Sequence, residues 1–487
     1  MFQAKKKLRE DNRIDNWCYL WMGFFMVVGF CLFSVIHYFF GDFVLKISAA
    51  VIIVLLVGGL LYSAWKKTGS ERRTVYVFLF ISIILRACYV ILTADNPLSS
   101  QEYEIFRNVQ FDITLPDAHQ PLYYIVSALI YNSVSLLSFA EPYNMDILRL
   151  VSEYMGIVSA IAVYYILCEL ESNDTAIYLG TAIIAFHPGL IRLGGEISPL
   201  MPMFAVLCLT MMFLTRWNNF TDGFDFIFMS ISFGIAVMLD MSALVILPVV
   251  AVLVVINLVR VIGRKNGFNT FSCLLQTLGG TAAWAVLSFV YPVRNMLMGK
   301  ETGIMQLFGN YSGTLDFNTK FLSFAPGELM EIFISPKDKN AWVYLVKSSI
   351  YGNLTEKDVT IDLVYPLVFI LISFAVASIA GLTIFGNMIA RADAKKKGNI
   401  WTVIAMCGCV VAYYILQNIG SNDASTMDFR VIPFILALGV TMLCCGIKVL
   451  SVKKKLSFVS NILYVLTVFI CLVFCLGCVA YGCWFIQ

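Results

Sequence analysis

Residues 243–260 read ALVILPVVAVLVVINLVR, and the overlapping segment 259–267 reads VRVIGRKNG. The first stretch carries no charge before Arg260. As a helix it covers nearly the whole of a hydrocarbon core about 30 Å thick. The second puts Arg260, Arg264 and Lys265 immediately behind it. An apolar run closed by a short basic loop is the pattern of a helix that crosses a bilayer and ends on the cytoplasmic side.

The pattern recurs along the whole chain. Of 487 residues, 60% are hydrophobic and 13% charged, against roughly half and a quarter in soluble domains. Candidate apolar runs fall at 17–40, 43–65, 75–93, 121–139, 147–170, 175–192, 197–215, 225–240, 243–260, 272–293, 363–386, 400–418, 431–449 and 458–485. The fold class expected is an all-α, polytopic transmembrane helical bundle with no separate soluble domain. A net charge of +3 without a basic stripe excludes nucleic acid as a partner. All 14 cysteines lie in or beside apolar runs, where they read as packing residues rather than metal or redox ligands.

Basic loops assign the sides. The N-terminal KKKLRE, KKTGSERR (66–73), VRVIGRKNG (259–267), RADAKKKG (391–398) and KVLSVKKK (448–455) mark the cytoplasmic face. The loops 94–120, 295–362 and 419–430 then face outward. Counting crossings forward from the N-terminus puts 140–146 inside, whereas counting backward from 259–267 puts it outside. One run between 94 and 215 therefore fails to span; the suspect is 121–139 or its neighbour. About thirteen crossings remain, with the N-terminus cytoplasmic and the C-terminus outside.

The scarce polar chemistry gathers on the outward side. The first external loop holds Asp95, Glu102, Glu104, Asp112 and Asp117 against Arg107. Its SSQEYEIFRNVQF segment suits a short interfacial helix capped by Ser99 or Ser100. The loop closes on DAHQPLYY (117–124), which packs Asp117, His119, Gln120 and Pro121 against Tyr123 at the head of an apolar run. Further along, AFHPGLIRLGGEIS (185–198) breaks a run at Pro188 and presents Glu196 behind a Gly-Gly pair. Arg149, Arg294, Asp428 and Arg430 also stand at outward ends of runs. Ionisable groups at membrane depth are costly, so their convergence on one side marks a functional site. Arginines there suit a phosphate, and the neighbouring apolar helices suit a hydrocarbon tail.

These elements resemble those of the bacterial membrane glycosyltransferases related to the protein O-mannosyltransferases and the aminoarabinose transferase, which have the GT-C fold. DAHQPLYY resembles their HPPLYY element, and FHPGLIRLGGEIS their HP-apolar-GG-x-I-N-N-D element. YPVRNMLMGKE (291–301), VKSSIYGN (346–353) and STMDFRVIP (425–433) resemble three further elements, in the same order. Where relatives have Asn-Asn-Asp, this chain has Ser198, Pro199 and Leu200.

The resemblance implies an integral plasma-membrane enzyme that moves a sugar, with inversion at the anomeric carbon, from a polyprenyl-phosphate donor to a cell-envelope acceptor on the outer face. A first-loop carboxylate would be the general base: Glu102 first, then Asp95, then Asp117. His119, Gln120, Tyr123, Glu196 and Asp428 would shape the substrate site, and Arg149, Arg294 and Arg430 would hold the lipid phosphate. No metal and no cofactor are expected. The implied organisation is an anchor with an extra helical hairpin (1–74), a catalytic module (75–293) with its loop 94–120, a long external loop (294–362) and C-terminal helices (363–487). Two rivals remain, a lipid-linked glycan transporter or flippase and an envelope glycan polymerase or ligase using a pyrophosphate-linked donor. The first should show inverted internal repeats with interrupted helices in matching positions of the two halves, and the sequence shows no such pairing. The second usually carries a late, arginine-rich external loop, unlike the acidic first loop here.

Overall fold

A computed structural model describes residues 73–93, 120–135, 144–170, 174–220, 223–262, 267–299, 317–323, 340–351, 394–420, 424–453 and 458–485. Among these residues every regular element is helical. In chain order the helices are α1 (Arg73–Leu92), α2 (Pro121–Ser135), α3 (Asn144–Glu169), α4 (Asp174–Phe186), α5 (Pro188–Gly195), α6 (Leu200–Phe220) and α7 (Gly223–Leu239). After a 3-10 turn (Met241–Ile246) come α8 (Leu247–Ile262), α9 (Gly267–Leu297), α10 (Ala341–Tyr351), α11 (Ala394–Gly420), α12 (Phe434–Lys453) and α13 (Phe458–Phe485). The candidate runs 17–40, 43–65 and 363–386 and the SSQEYEIFRNVQF helix lie outside the described residues.

Seven described helices are long and apolar enough to cross a membrane, and the α4–α5 pair, bent by 42° at its break, makes an eighth if taken as one span. Residues 243–259 of the opening stretch lie within Met241–Val259, one of these spans. The chain is thus an all-α polytopic bundle. Its centre is α3, α4, α6 and α12, packed on one another and flanked by α1, α7 and α11. Phe204, Trp217, Phe226 and Phe233 are fully buried there, with the Trp217 and Phe226 rings 4.8 Å apart. The outer faces of α8, α9 and α13 show Val252, Val255, Leu275, Leu278 and Leu476. Side chains of this kind pack as readily against lipid tails as against protein.

One side chain joins the end of α1 to the head of α3. Arg149, near the head of α3, donates from Nη1 to the carbonyl of Thr93, just past the end of α1, at 3.3 Å. The end of α1 and the head of α3 therefore share one face. At fifteen residues, α2 is only about 22 Å long, short of the roughly 30 Å hydrocarbon core. The described part of the 121–139 run is thus a short apolar helix, below the length of a span by itself.

The other ends of the helices are tied by amides. Asn218 on α6 donates to Asn399 on α11, and Asn399 donates to Asn219 at 2.8 Å. Lys448 on α12 donates to the carbonyl of Leu170, beyond α3, at 3.0 Å.

Candidate functional site

The break between α4 and α5 builds the site. Pro188 occupies the first turn of α5, where its missing N–H costs nothing, while His187 before it is extended at φ −62° and ψ 120°. The His187 ring is buried, 5.6 Å from the Phe429 ring and 6.1 Å from that of Phe474. It serves as a packing residue at the hinge. The eight residues of α5 then end at Gly195, and Glu196 leaves in extended conformation with its side chain half-buried.

Three sequence elements far apart in the chain meet around this turn. Arg192 on α5 donates from Nη2 to the Ser348 carbonyl on α10 at 2.9 Å. The Ser348 hydroxyl accepts from the backbone N–H of Phe429 at 2.8 Å. Asp428 caps the short 3-10 turn Phe429–Val431, accepting from the Arg430 N–H at 2.9 Å, and its other oxygen lies 3.2 Å from the Arg430 guanidinium. Arg430 also lies 3.5 Å from Glu196. The elements FHPGLIRLGGEIS, VKSSIYGN and STMDFRVIP thus form one cluster. Burial works against the charge on Arg430, but Glu196 and Asp428 outweigh it and hold its pKa above the ordinary arginine value.

Polar contacts from α11 fix the 424–431 segment. The Tyr414 hydroxyl lies 2.7 Å from the carbonyl of Ala341 and 2.8 Å from that of Met427. Asn418 donates to the Thr426 carbonyl at 3.1 Å and accepts from the Thr426 hydroxyl at 3.0 Å. Lys320, in the π-turn Asn318–Leu322, donates to the Asn418 carbonyl at 2.9 Å. Burial pushes the pKa of its ammonium below the ordinary lysine value.

The remaining sequence candidates divide. Arg149 is buried, with Nε 2.6 Å from the Gly195 carbonyl and Nη2 on the Thr93 hydroxyl, so it braces the turn before Glu196. Gln120 and Tyr123 are buried at the start of α2, where the Tyr123 and Tyr124 rings meet edge to face at 5.6 Å. The Gln120 Oε1 has no hydrogen-bond partner among the described residues. Arg294 is exposed on the last turn of α9, its guanidinium 5.5 Å from the Tyr291 ring centroid. Asp95, Glu102, Asp117 and His119 lie outside the described residues. Among the described residues no group of three or more His, Cys, Asp or Glu is placed to hold a metal ion.

The sequence reading missed a buried ion pair directly beneath the turn. Arg86 on α1 donates to Glu153 on α3, and both side chains are fully buried. An ionisable residue near the middle of each of two apolar runs was the available signal. The reading also missed that part of the 295–362 loop folds as α10, a helix whose Ser348 is central to the cluster.

Fold and site together define a polytopic all-α membrane protein with arginines and carboxylates gathered at one end of a broken helix. Residues 130–293 match the family model for dolichyl-phosphate-mannose-protein mannosyltransferase. The resemblance drawn from the sequence elements is borne out over that stretch, which runs from α2 through most of α9 and holds Arg149, Glu153 and Glu196. Among curated proteins none matches the chain significantly. Among solved structures, the Archaeoglobus fulgidus oligosaccharyltransferase in its apo form is similar at 11% identity and a TM-score of 0.47, over 86% of this chain and 56% of that one. The chain thus spans little more than half the length of that protein. ArnT from Cupriavidus metallidurans, bound to undecaprenyl phosphate, is similar at 13% identity and a TM-score of 0.34, over 78% of each chain.

Proposed function

We propose that the protein transfers a sugar from a polyprenyl-phosphate donor to a cell-envelope acceptor on the outer face of the plasma membrane. The observation that carries this reading is the meeting of Arg192, Glu196, Ser348, Asp428 and Arg430 at one face of a lipid-embedded bundle. The family match over residues 130–293 supports the same chemistry.

In this reading Arg430, half-buried rather than enclosed, faces the donor phosphate. Glu196 and Asp428 keep it aimed and charged until the lipid phosphate takes their place beside it. A first-loop carboxylate, Glu102 ahead of Asp95 and Asp117, takes the proton from the acceptor hydroxyl. The acceptor oxygen attacks the anomeric carbon, the bond from that carbon to the phosphate oxygen breaks, and its electron pair leaves with the lipid phosphate. Inversion at the anomeric carbon follows from this single displacement. General-base assistance is worth about 10² to 10⁴ in rate, and the guanidinium stabilises charge as it develops on the leaving group. Arg149 is assigned to bracing the turn, and Arg294 is a second candidate for the lipid phosphate.

The test is alanine substitution at Glu102, Asp95 and Asp117, assayed in nanodiscs with a sugar-loaded polyprenyl-phosphate donor and a glycan or peptide acceptor. One of the three should lose at least 10² in kcat while still binding donor. Full activity in all three variants would sink the mechanism.

A further inference from the structure

We propose that a polar rail along α1, centred on the Arg86–Glu153 ion pair, is a positioning device that sets the register of the broken α4–α5 helix and so aims Glu196 and Arg430. The inference rests on the functional reading above for what the pair is aimed at.

Ser82, Arg86, Tyr89 and Thr93 follow one another at spacings of four, three and four residues, which places them on one face of α1. Each has a polar or close contact leading to the broken helix. Ser82 donates to the carbonyl of Ala185 at 2.8 Å, near the end of α4. Arg86 reaches the carbonyl of Leu190 at 3.4 Å, within α5. The Tyr89 ring lies so close to Gly195 that a Cβ there would collide with it. Thr93 donates to the Tyr89 carbonyl at 2.7 Å and accepts from Arg149, which holds the Gly195 carbonyl. The last carbonyls of a helix lack partners of their own. The broken helix has two such ends, that of α4 and that of α5; Ser82 supplies a donor to the Ala185 carbonyl at the first and Arg149 to the Gly195 carbonyl at the second.

The ion pair itself makes poor glue. Arg86 Nη2 and Glu153 Oε1 are buried with no hydrogen-bond partner among the described residues. A buried pair with unsatisfied atoms is often no more stable than well-packed apolar side chains of the same volume, and its best-attested role is to fix register. Here the Glu153 carboxylate lies against Gly194, where any Cβ would strike it. The pair therefore meets the backbone two residues before Glu196. A slip of α5 along α1 would carry Glu196 away from Arg430, and a misplacement of about 1 Å near reacting groups costs on the order of 10²-fold in rate.

The experiment compares wild type with Arg86→Leu/Glu153→Leu in nanodiscs. The folded yield and melting temperature of the double variant should match wild type. Its kcat should fall on the order of 10- to 100-fold while donor KM changes less than about threefold. A cryo-EM structure of the variant should show Glu196 and Arg430 separated beyond salt-bridge range. A second variant, Ser82→Ala/Thr93→Val, removes two rail contacts without touching a charge and should lower kcat severalfold at unchanged melting temperature. Activity that tracks folded protein in both variants, an intact Glu196–Arg430 pair, or a double-leucine variant that fails to fold would each overturn the positioning role. A wild type that folds but transfers no sugar from the lipid donor would instead overturn the functional reading, leaving the structural comparison to decide the rail.

Discussion

Glu153→Leu is the perturbation whose cost the structure sets most clearly. Both members of the Arg86–Glu153 pair are fully buried, so removing the carboxylate leaves the guanidinium, among the described residues, with the Ser82 hydroxyl at 3.3 Å and the Leu190 carbonyl at 3.4 Å as its polar partners. Breaking a buried pair in this way costs about 3–5 kcal/mol, because one charge stays buried without compensation. Arg86→Leu should cost a similar amount, for the carboxylate is then stranded against Gly194. If the two losses were independent they would sum to roughly 6–10 kcal/mol, whereas replacing both partners should cost close to nothing. The assay is a double-mutant cycle of reversible unfolding in mixed micelles. Additive costs, or a double variant no more stable than the singles, would refute the reasoning.

Other outcomes follow from the same contacts. Gly194→Val should lower the folded yield sharply, measured by size-exclusion recovery, because its side chain enters the space of the Glu153 carboxylate. Arg192→Met removes the bond to Ser348 and should weaken the α5–α10 contact, raising hydrogen exchange in 341–351. Arg430→Ala should reduce donor affinity by roughly 10-fold or more, as expected for loss of a charge-assisted contact worth about 1.5–3 kcal/mol; isothermal titration with the lipid phosphate measures it. Arg430 is held above the ordinary arginine value, with burial opposing and Glu196 and Asp428 outweighing it, so its charge persists as pH rises. Donor affinity should therefore show no alkaline loss from this group in wild type. Arg430→Lys should show one as pH approaches the ordinary lysine value of about 10.4.

Much of the bundle was legible because a span carries its own signal. The run 225–240 corresponds to α7 at Gly223–Leu239, and the run 147–170 to α3 at Asn144–Glu169. The break at Pro188 was also visible, since proline cannot sit inside a regular helix without loss of a bond. What the spacing did not reveal is which polar groups meet. Arg86 and Glu153 lie 67 residues apart in sequence and Glu196 and Arg430 lie 234 apart. Hydropathy marks both pairs as costly and names no partner. Helix α10 escaped because AWVYLVKSSIY is short and carries a lysine, so it reads as loop; in the fold Lys347 is fully buried. Arg149 was legible as an ionisable residue at a run's end, but its bond to Thr93, which joins α3 to the end of α1, required the structure.

The account turns on a lipid monophosphate as the leaving group. Wild-type protein, incubated with a polyprenyl-phosphate sugar and an acceptor, should be analysed by mass spectrometry of the extracted lipid. Free polyprenyl phosphate should appear in step with the loss of donor, and Arg430→Ala should slow its appearance on the order of 10-fold or more. Donor left intact by the folded wild type, or turnover only with a pyrophosphate-linked donor, would contradict the central claim.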